Sequence, residues 1–396
     1  MSSTTPPLTR ASVVEAHERI KPYIHLTPTL TNTTLSDLAS TPQSKDALRG
    51  TPWEGQEPAK PRIKLFFKCE NFQRIGAFKV RGAFHAVGRL SEGERAKGVV
   101  THSSGNHAQA LALAAKTFSI PAHIIMPTIS TPSKIAGTRS QGAHIHFSGS
   151  TSEEREAVVQ KVIRETGATF VPPYDHPNII LGQGTLALEL QEQTERLIEG
   201  DKRLSVEVGK GGLDAVIAPC GGGGMLSGVA TALSGTGIKV FGAEPSFEGA
   251  DDAKRGVEAG KRIERVKTLT IADGLRTPLG ELTWSVISDK EKVHNLYSVT
   301  EKNIKDAMRL VLERMKCFVE PSAVVGLATI LYNEDFRRLV EKEGGEEGWN
   351  IGVAFSGGNT TVEAISKIFA APEERAERAE GVVGKDGERV AENVAG

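Results

Sequence analysis

Short apolar runs alternate with helix-patterned stretches along most of this chain, and no other feature restricts its fold as strongly. Residues 63–67, 98–101, 122–126, 144–147, 214–218, 239–243 and 351–354 read as buried strands. Helical patterns lie between them at 109–116, 133–141, 153–166 and 225–233. A strand that returns parallel to its predecessor needs a crossover helix. The alternation therefore predicts an α/β protein whose parallel-rich twisted sheets are flanked by helices. One further helix is expected to start at Ser12, where Ser12 and Glu15 have capping-box spacing. Residues 41–62, polar and rich in Pro and Gly, predict an inserted surface loop. The charged, weakly apolar residues 372–396 predict a disordered tail.

The chain's 396 residues suffice for two domains, each with its own core. Basic and acidic side chains nearly cancel, 48 against 49, which argues against a nucleic-acid partner. No apolar run approaches the ~18 residues that a bilayer span requires, and the N-terminus lacks the charged-then-apolar order of a secretory signal. Three scattered cysteines, Cys69, Cys220 and Cys317, fit a reducing, cytoplasmic setting better than a disulfide framework. Glycine is the outlier, with 42 residues against a usual share of ~7%. Spread evenly, these glycines mean loops; bunched, they mean close approach of backbone to a ligand.

Some of them are bunched. Gly221, Gly222, Gly223 and Gly224 follow a strand and open a helix at Met225. Four bare backbone N–H groups at a helix N-terminus make a cradle for an anion such as phosphate. The dinucleotide fingerprint fails here, because its third glycine falls on Leu226 or Ser227, and the Walker pattern is absent from the chain. Lys79 lies within Gly76-Ala77-Phe78-Lys79-Val80-Arg81-Gly82-Ala83 at the start of a predicted helix. A lysine in an apolar, cationic setting has a lowered pKa and can form a Schiff base. His102-Ser103-Ser104-Gly105-Asn106-His107 sits between strand and helix and suits a carboxylate, while Phe355-Ser356-Gly357-Gly358-Asn359 ends a strand. Taken singly, the last three segments have plain readings too: a solvated lysine, a helix cap and a turn. H-E-x-x-H, C-x-x-C and G-x-S-x-G are all missing, which leaves zinc-protease and nucleophile-elbow chemistries without an anchor.

In chain order, with the Lys79 segment first, then Ser103–His107, Gly221–Gly224 and Ser356–Asn359, the four segments resemble the pyridoxal-phosphate enzymes of fold type II, in the serine/threonine dehydratase and serine racemase branch. The resemblance spans roughly residues 10–370 and includes Pro172-Pro173-Tyr174-Asp175, Thr270-Ile271-Ala272-Asp273-Gly274 and Glu320-Pro321-Ser322-Ala323. It implies a two-domain, tryptophan synthase beta-like fold. Residues 1–97 and 175–371 would form a large cofactor domain, and 98–174 a small mobile one. Lys79 would carry pyridoxal 5′-phosphate covalently and then act as the base at Cα. Phe78 would lie against the pyridine ring, Asn106 would bond the 3′-oxygen, and Ser356 would face the ring nitrogen. Gly221, Gly222, Gly223, Gly224 and the Met225 N–H would hold the phosphate.

Ser103, Ser104, Gly105, Asn106 and His107 would bind the substrate carboxylate, with Arg155 and Thr277 also facing the substrate. Ser104 further implies a proton donor on the face opposite Lys79, the feature that permits racemisation. Glu244, the Ala250 carbonyl and Asp252 resemble the branch's loop for Mg²⁺, Ca²⁺ or Mn²⁺, in a version about two residues longer. The leading expectation is an ammonia-lyase that converts L-serine or L-threonine to the 2-oxo acid by β-elimination. Serine racemase with eliminase side activity, or threo-3-hydroxyaspartate ammonia-lyase, is the alternative. A cytoplasmic homodimer acting on a small amino acid, without nucleic-acid or membrane partners, completes the expectation.

Overall fold

All seven expected strands form, and three short or amphipathic ones join them. The computed structural model describes residues 5–370 apart from Val208, and among these residues ten strands occur. They are β1 (Thr29–Thr31), β2 (Ile63–Cys69), β3 (Val99–His102), β4 (Ala122–Pro127), β5 (His144–Ser148), β6 (Thr169–Phe170), β7 (Ala215–Pro219), β8 (Lys239–Pro245), β9 (Asn295–Val299) and β10 (Trp349–Phe355). One sheet has the order β1-β2-β10-β7-β8-β9 and the other β5-β4-β3-β6. Every neighbouring pair is parallel except β1 with β2.

The near-continuous apolar sequences of β2, β7 and β10 follow from helices covering both faces of the larger sheet. Alternate side chains go to opposite cores. Leu65, Phe67, Ile217, Ile351 and Val353 pack on one side, and Phe66, Val216, Ala218 and Ala354 on the other. The smaller sheet does the same with Val99, Ile124 and Met126 against Val100 and Ile125.

Two expectations change in detail. The first helix is Arg10–Ile20 and is capped by Thr9, whose side chain accepts from the Ser12 N–H. Ser12 is buried and its hydroxyl lies 3.0 Å from that of Thr9, so it cannot serve as the cap itself. The 41–62 segment is a docked structure rather than a loosely solvated loop. Leu48 and Ala59 are buried, the Ala59 N–H donates to Glu334 at 2.8 Å, and the Trp53 indole donates to Asp335 at 2.8 Å. The expected tail, 372–396, lies outside the described residues.

This topology decides where chemistry can occur. In an open parallel sheet, ligands bind beyond the carboxyl ends of the strands. β2, β10 and β7 are adjacent, and their carboxyl ends lead into the Lys79 segment, Ser356 and the glycine run. The end of β8, next in order, leads into the Glu244 loop, while β3 of the smaller sheet ends at the Ser103–His107 segment.

Candidate active site

The glycine run is bare because its surroundings leave no room for side chains. A Cβ on Gly221 would stand 2.8 Å from Leu275, and one on Gly222 would meet the Tyr174 ring at 2.6 Å. Gly223 has φ of +83° and would collide with Leu279 at 2.6 Å, while Gly224 abuts Tyr174 at 3.0 Å. The helix that follows, Gly224–Leu233, begins without a side-chain cap. Its first N–H groups therefore lack a side-chain partner, and with the helix dipole they supply what an anion requires. Met225 behind them is buried.

Lys79 opens the helix Lys79–Gly88. Its Nζ donates to the Pro173 carbonyl at 2.8 Å and lies 5.1 Å from the centre of the Phe78 ring. Burial pulls its pKa down from 10.5 to about 8, against an opposing pull from Glu320. A measurable fraction is thus neutral at physiological pH, as a Schiff-base lysine needs. The preceding loop is strained, with Ile75 at φ of 57°, a conformation β-branched residues avoid. The Ile75 carbonyl is held by the Asn359 side chain, which donates to it at 2.7 Å.

A small polar network links the two sheets. The Asn106 amide donates to Glu320 at 3.1 Å and accepts from the Asn359 side chain at 2.7 Å. The Asn359 N–H also donates to Glu320, at 3.2 Å. Burial, reinforced by Asp273, pushes the Glu320 carboxyl up to about 7. Ser356 is buried, and its carbonyl accepts from the Phe78 N–H at 3.0 Å, tying the end of β10 to the lysine segment. Ser103, Ser104 and Gly105 are half-buried at the end of β3. His107 is buried, with Nε2 3.1 Å from the Val171 carbonyl and no partner at Nδ1. Burial and the nearby Lys79 charge hold His107 down at about 3, so it is neutral. Arg155 is half-buried in the helix Ser152–Thr166, close enough to His102 to lower that residue's pKa after burial has done so. Thr277 is exposed in the segment after Asp273–Leu275.

These features fit pyridoxal phosphate: a run of backbone kept free of side chains by its neighbours, an uncapped helix start, and a lysine kept near neutrality. A model for the pyridoxal-phosphate-dependent enzymes matches residues 45–357. The chain belongs to that family. A serine racemase of Arabidopsis thaliana is 41% identical over 90% of this chain and 95% of its own. An L-threo-3-hydroxyaspartate ammonia-lyase of Saccharomyces cerevisiae is 38% identical over 92% and 98%. The structure of maize serine racemase superposes with a TM-score of 0.76 at 37% identity, over 94% of this chain and 99% of that one. The α/β fold with two mostly parallel sheets is that of the fold type II pyridoxal-phosphate enzymes, and this enzyme falls in their serine racemase and β-eliminating ammonia-lyase branch.

The Glu244 region of this pyridoxal-phosphate enzyme offers oxygen donors of the kind hard cations take. Glu244 and Asp252 are both buried; burial raises both carboxyls, Asp252 to about 6, and the Asp252 charge adds to the rise at Glu244. The Glu244 oxygens accept N–H groups from Ala253 at 3.1 Å and Lys254 at 2.8 Å, which leaves each a further lone pair. Ala250, buried beside them, could add its carbonyl. Among the described residues no helix is long and apolar enough to cross a membrane.

Glu320 and the Pro173 carbonyl carry no role in the sequence reading, although both lie in quoted segments. The signal for Glu320 was available: one acidic residue between the apolar stretches Phe318-Val319 and Pro321–Val325. An acid buried there requires a partner, which marks it as part of a site.

Proposed function

We propose that this enzyme interconverts L- and D-serine and also eliminates water from serine to give pyruvate and ammonia. The observation that carries the reading is Ser104, half-buried beside Asn106 at the end of β3. It stands where the racemising branch places a second proton donor. From the sequence motifs alone, dehydration of L-serine or L-threonine ranks first. The near-full-length relatives named as serine racemases move racemisation ahead of it.

Bound pyridoxal phosphate supplies the electron sink for negative charge at Cα. Gly221 to Gly224 and the Met225 N–H would hold its phosphate, Phe78 would flank its ring, and Asn106, oriented by Glu320 and Asn359, would bond its 3′-oxygen. Ser356, a neutral hydroxyl, would partner the ring nitrogen and leave the sink weaker than an acid would. Ser103, Ser104, Gly105, Asn106 and His107 orient the substrate carboxylate, and Thr277 closes over it. Lys79 takes the Cα proton on one face, and Ser104 returns a proton on the other. Residues 98–174 close over the site as a small domain against 1–97 and 175–371, in a homodimer. Glu244, the Ala250 carbonyl and Asp252 would hold a divalent cation at the end of the strand next to the glycine run.

Chiral chromatography of products from L-serine tests this directly. The wild type yields D-serine together with pyruvate. Ser104→Ala loses D-serine formation by about 10²-fold or more while keeping pyruvate formation from L-serine. Equal loss of both products overturns the assignment of Ser104. A second reading, hydroxyaspartate ammonia-lyase, is favoured by Arg155, a half-buried cation able to take a second carboxylate. Turnover of threo-3-hydroxyaspartate faster than L-serine, abolished by Arg155→Ala, would establish it instead.

A further inference from the structure

Three of the ten histidines gather away from this site: His123 near the start of β4, and His144 and His146 at the start of β5. The strands are parallel neighbours, with His123 paired to His144 and Ile125 to His146. Residues two apart share a face, so all three rings leave the sheet on the same side. Further along, that side is covered by the helix Ser152–Thr166 through Val159 and Val162. Where the helix ends the face opens. His123 and His146 are half-buried there and His144 is exposed.

His123 Nδ1 lies 3.1 Å from His146 Nε2, and the His123 ring stacks 5.2 Å from that of His144. Two imidazole nitrogens so close share either a proton or a cation. A tetrahedral zinc site with bonds of ~2.0–2.1 Å spaces its nitrogens ~3.3 Å apart. Burial, and then the charge of neighbouring histidines, lowers the pKa of both His123 and His146, so their lone pairs stay available. Glu165 and Lys161, in the last turns of the covering helix, face His146 and form an ion pair of 3.9 Å. Among the described residues no three such side chains already converge on one point. The reason is local: His144 lies nearly parallel to His123, at 22°, instead of turning a nitrogen inward. Its exposure lets it rotate, at the cost of that stacking alone.

We propose that His123, His144 and His146 form a binding site for a late first-row divalent cation, Zn²⁺ foremost, at the amino-terminal edge of the smaller sheet. The active site lies at the opposite, carboxyl ends of these strands. Neutral imidazoles select zinc-like ions, whereas the Glu244 loop, with oxygen donors only, suits Mg²⁺.

The test uses cofactor-loaded enzyme stripped with chelator and then titrated with Zn²⁺ under excess Mg²⁺, followed by calorimetry and metal analysis. The wild type should retain about one Zn²⁺ per chain. His123→Gln and His144→Ala should each weaken binding at least about tenfold, since loss of a direct ligand costs no less than the 10–100-fold typical of outer-shell changes. Serine turnover without zinc should be unchanged in both, because neither residue touches the cofactor site. Retained visible absorbance of the cofactor shows that each variant is folded. No Zn²⁺ uptake by the wild type, or equal uptake by a His123→Gln/His146→Gln variant, overturns the site. Unchanged affinity in His144→Ala overturns its three-ligand form.

Discussion

The helix Lys79–Gly88 carries two cations two residues apart, and their surroundings differ in kind. Arg81 is fully buried between two glutamates. It donates to Glu70 at 2.7 and 2.8 Å and to Glu189 at 2.8 and 2.7 Å. Lys68 adds a second cation on Glu189 at 2.7 Å, so two positive and two negative groups face one another in the core. Burial alone would raise the Glu189 carboxyl, but Arg81, His17 and Lys68 hold it well below the ordinary range. Every charge there has a partner, and the network is closed.

Lys79 lives differently. Its Nζ has a carbonyl for a partner, and the nearest acid, Glu320, is turned toward Asn106 and Asn359. The pair is left with pKa values near 8 and 7, inside the range where enzymes move protons. The same helix is thus pinned by a saturated ion cluster on one side and presents an unsaturated base on the other. Rigidity and reactivity are separated by two residues of sequence.

Substitutions that break this contrast should have opposite signatures. Lys79→Ala should abolish the visible cofactor band and lower turnover by about 10²–10⁴-fold or more. Melting of the apo-protein should be no lower than wild type, because a buried lysine with a depressed pKa is not a stabilising cation. Arg81→Met leaves Glu70 and Glu189 buried without their main counter-charge and should cost about 3–5 kcal/mol in denaturant unfolding. A variant with wild-type stability would show that the cluster is not the frame.

Glu320→Gln sharpens the comparison with a smaller effect. It keeps an acceptor for Asn106 but removes the anion that raises the Lys79 pKa. The pH midpoint for re-association of cofactor with apo-protein should therefore move lower by about one unit. Stability responds too. The folded pKa of Glu320 is raised from 4.5 to about 7, so its contribution is full below 4.5 and is lost as pH rises through 7. That loss should be absent from unfolding curves of Glu320→Gln apo-protein. An unchanged midpoint and an unchanged stability profile would together remove Glu320 from the positioning of Lys79.

Sequence alone determined the elements and the backbone chemistry. Apolar runs with the wrong period for helices, separated by helical patterns, can satisfy their hydrogen bonds only as parallel strands with crossover helices. Four successive glycines after a strand announce a place where backbone must lie bare, and Lys79 stands out once Phe78 and Arg81 flank it. These are local signals, legible because residue type and spacing fix them. What the sequence could not supply is adjacency. Strand order β2-β10-β7 joins segments near residues 79, 356 and 221, and Glu320 reaches Asn106 across 214 positions. The same holds for the 41–62 segment, whose polarity suggested solvent but whose partners lie near residue 335. Whether a buried acid is ionised, or a lysine neutral, depends on burial and on charges that only the folded chain brings within reach. The tertiary structure thereby decided which of two nearby cations, Arg81 or Lys79, is locked and which is left able to react.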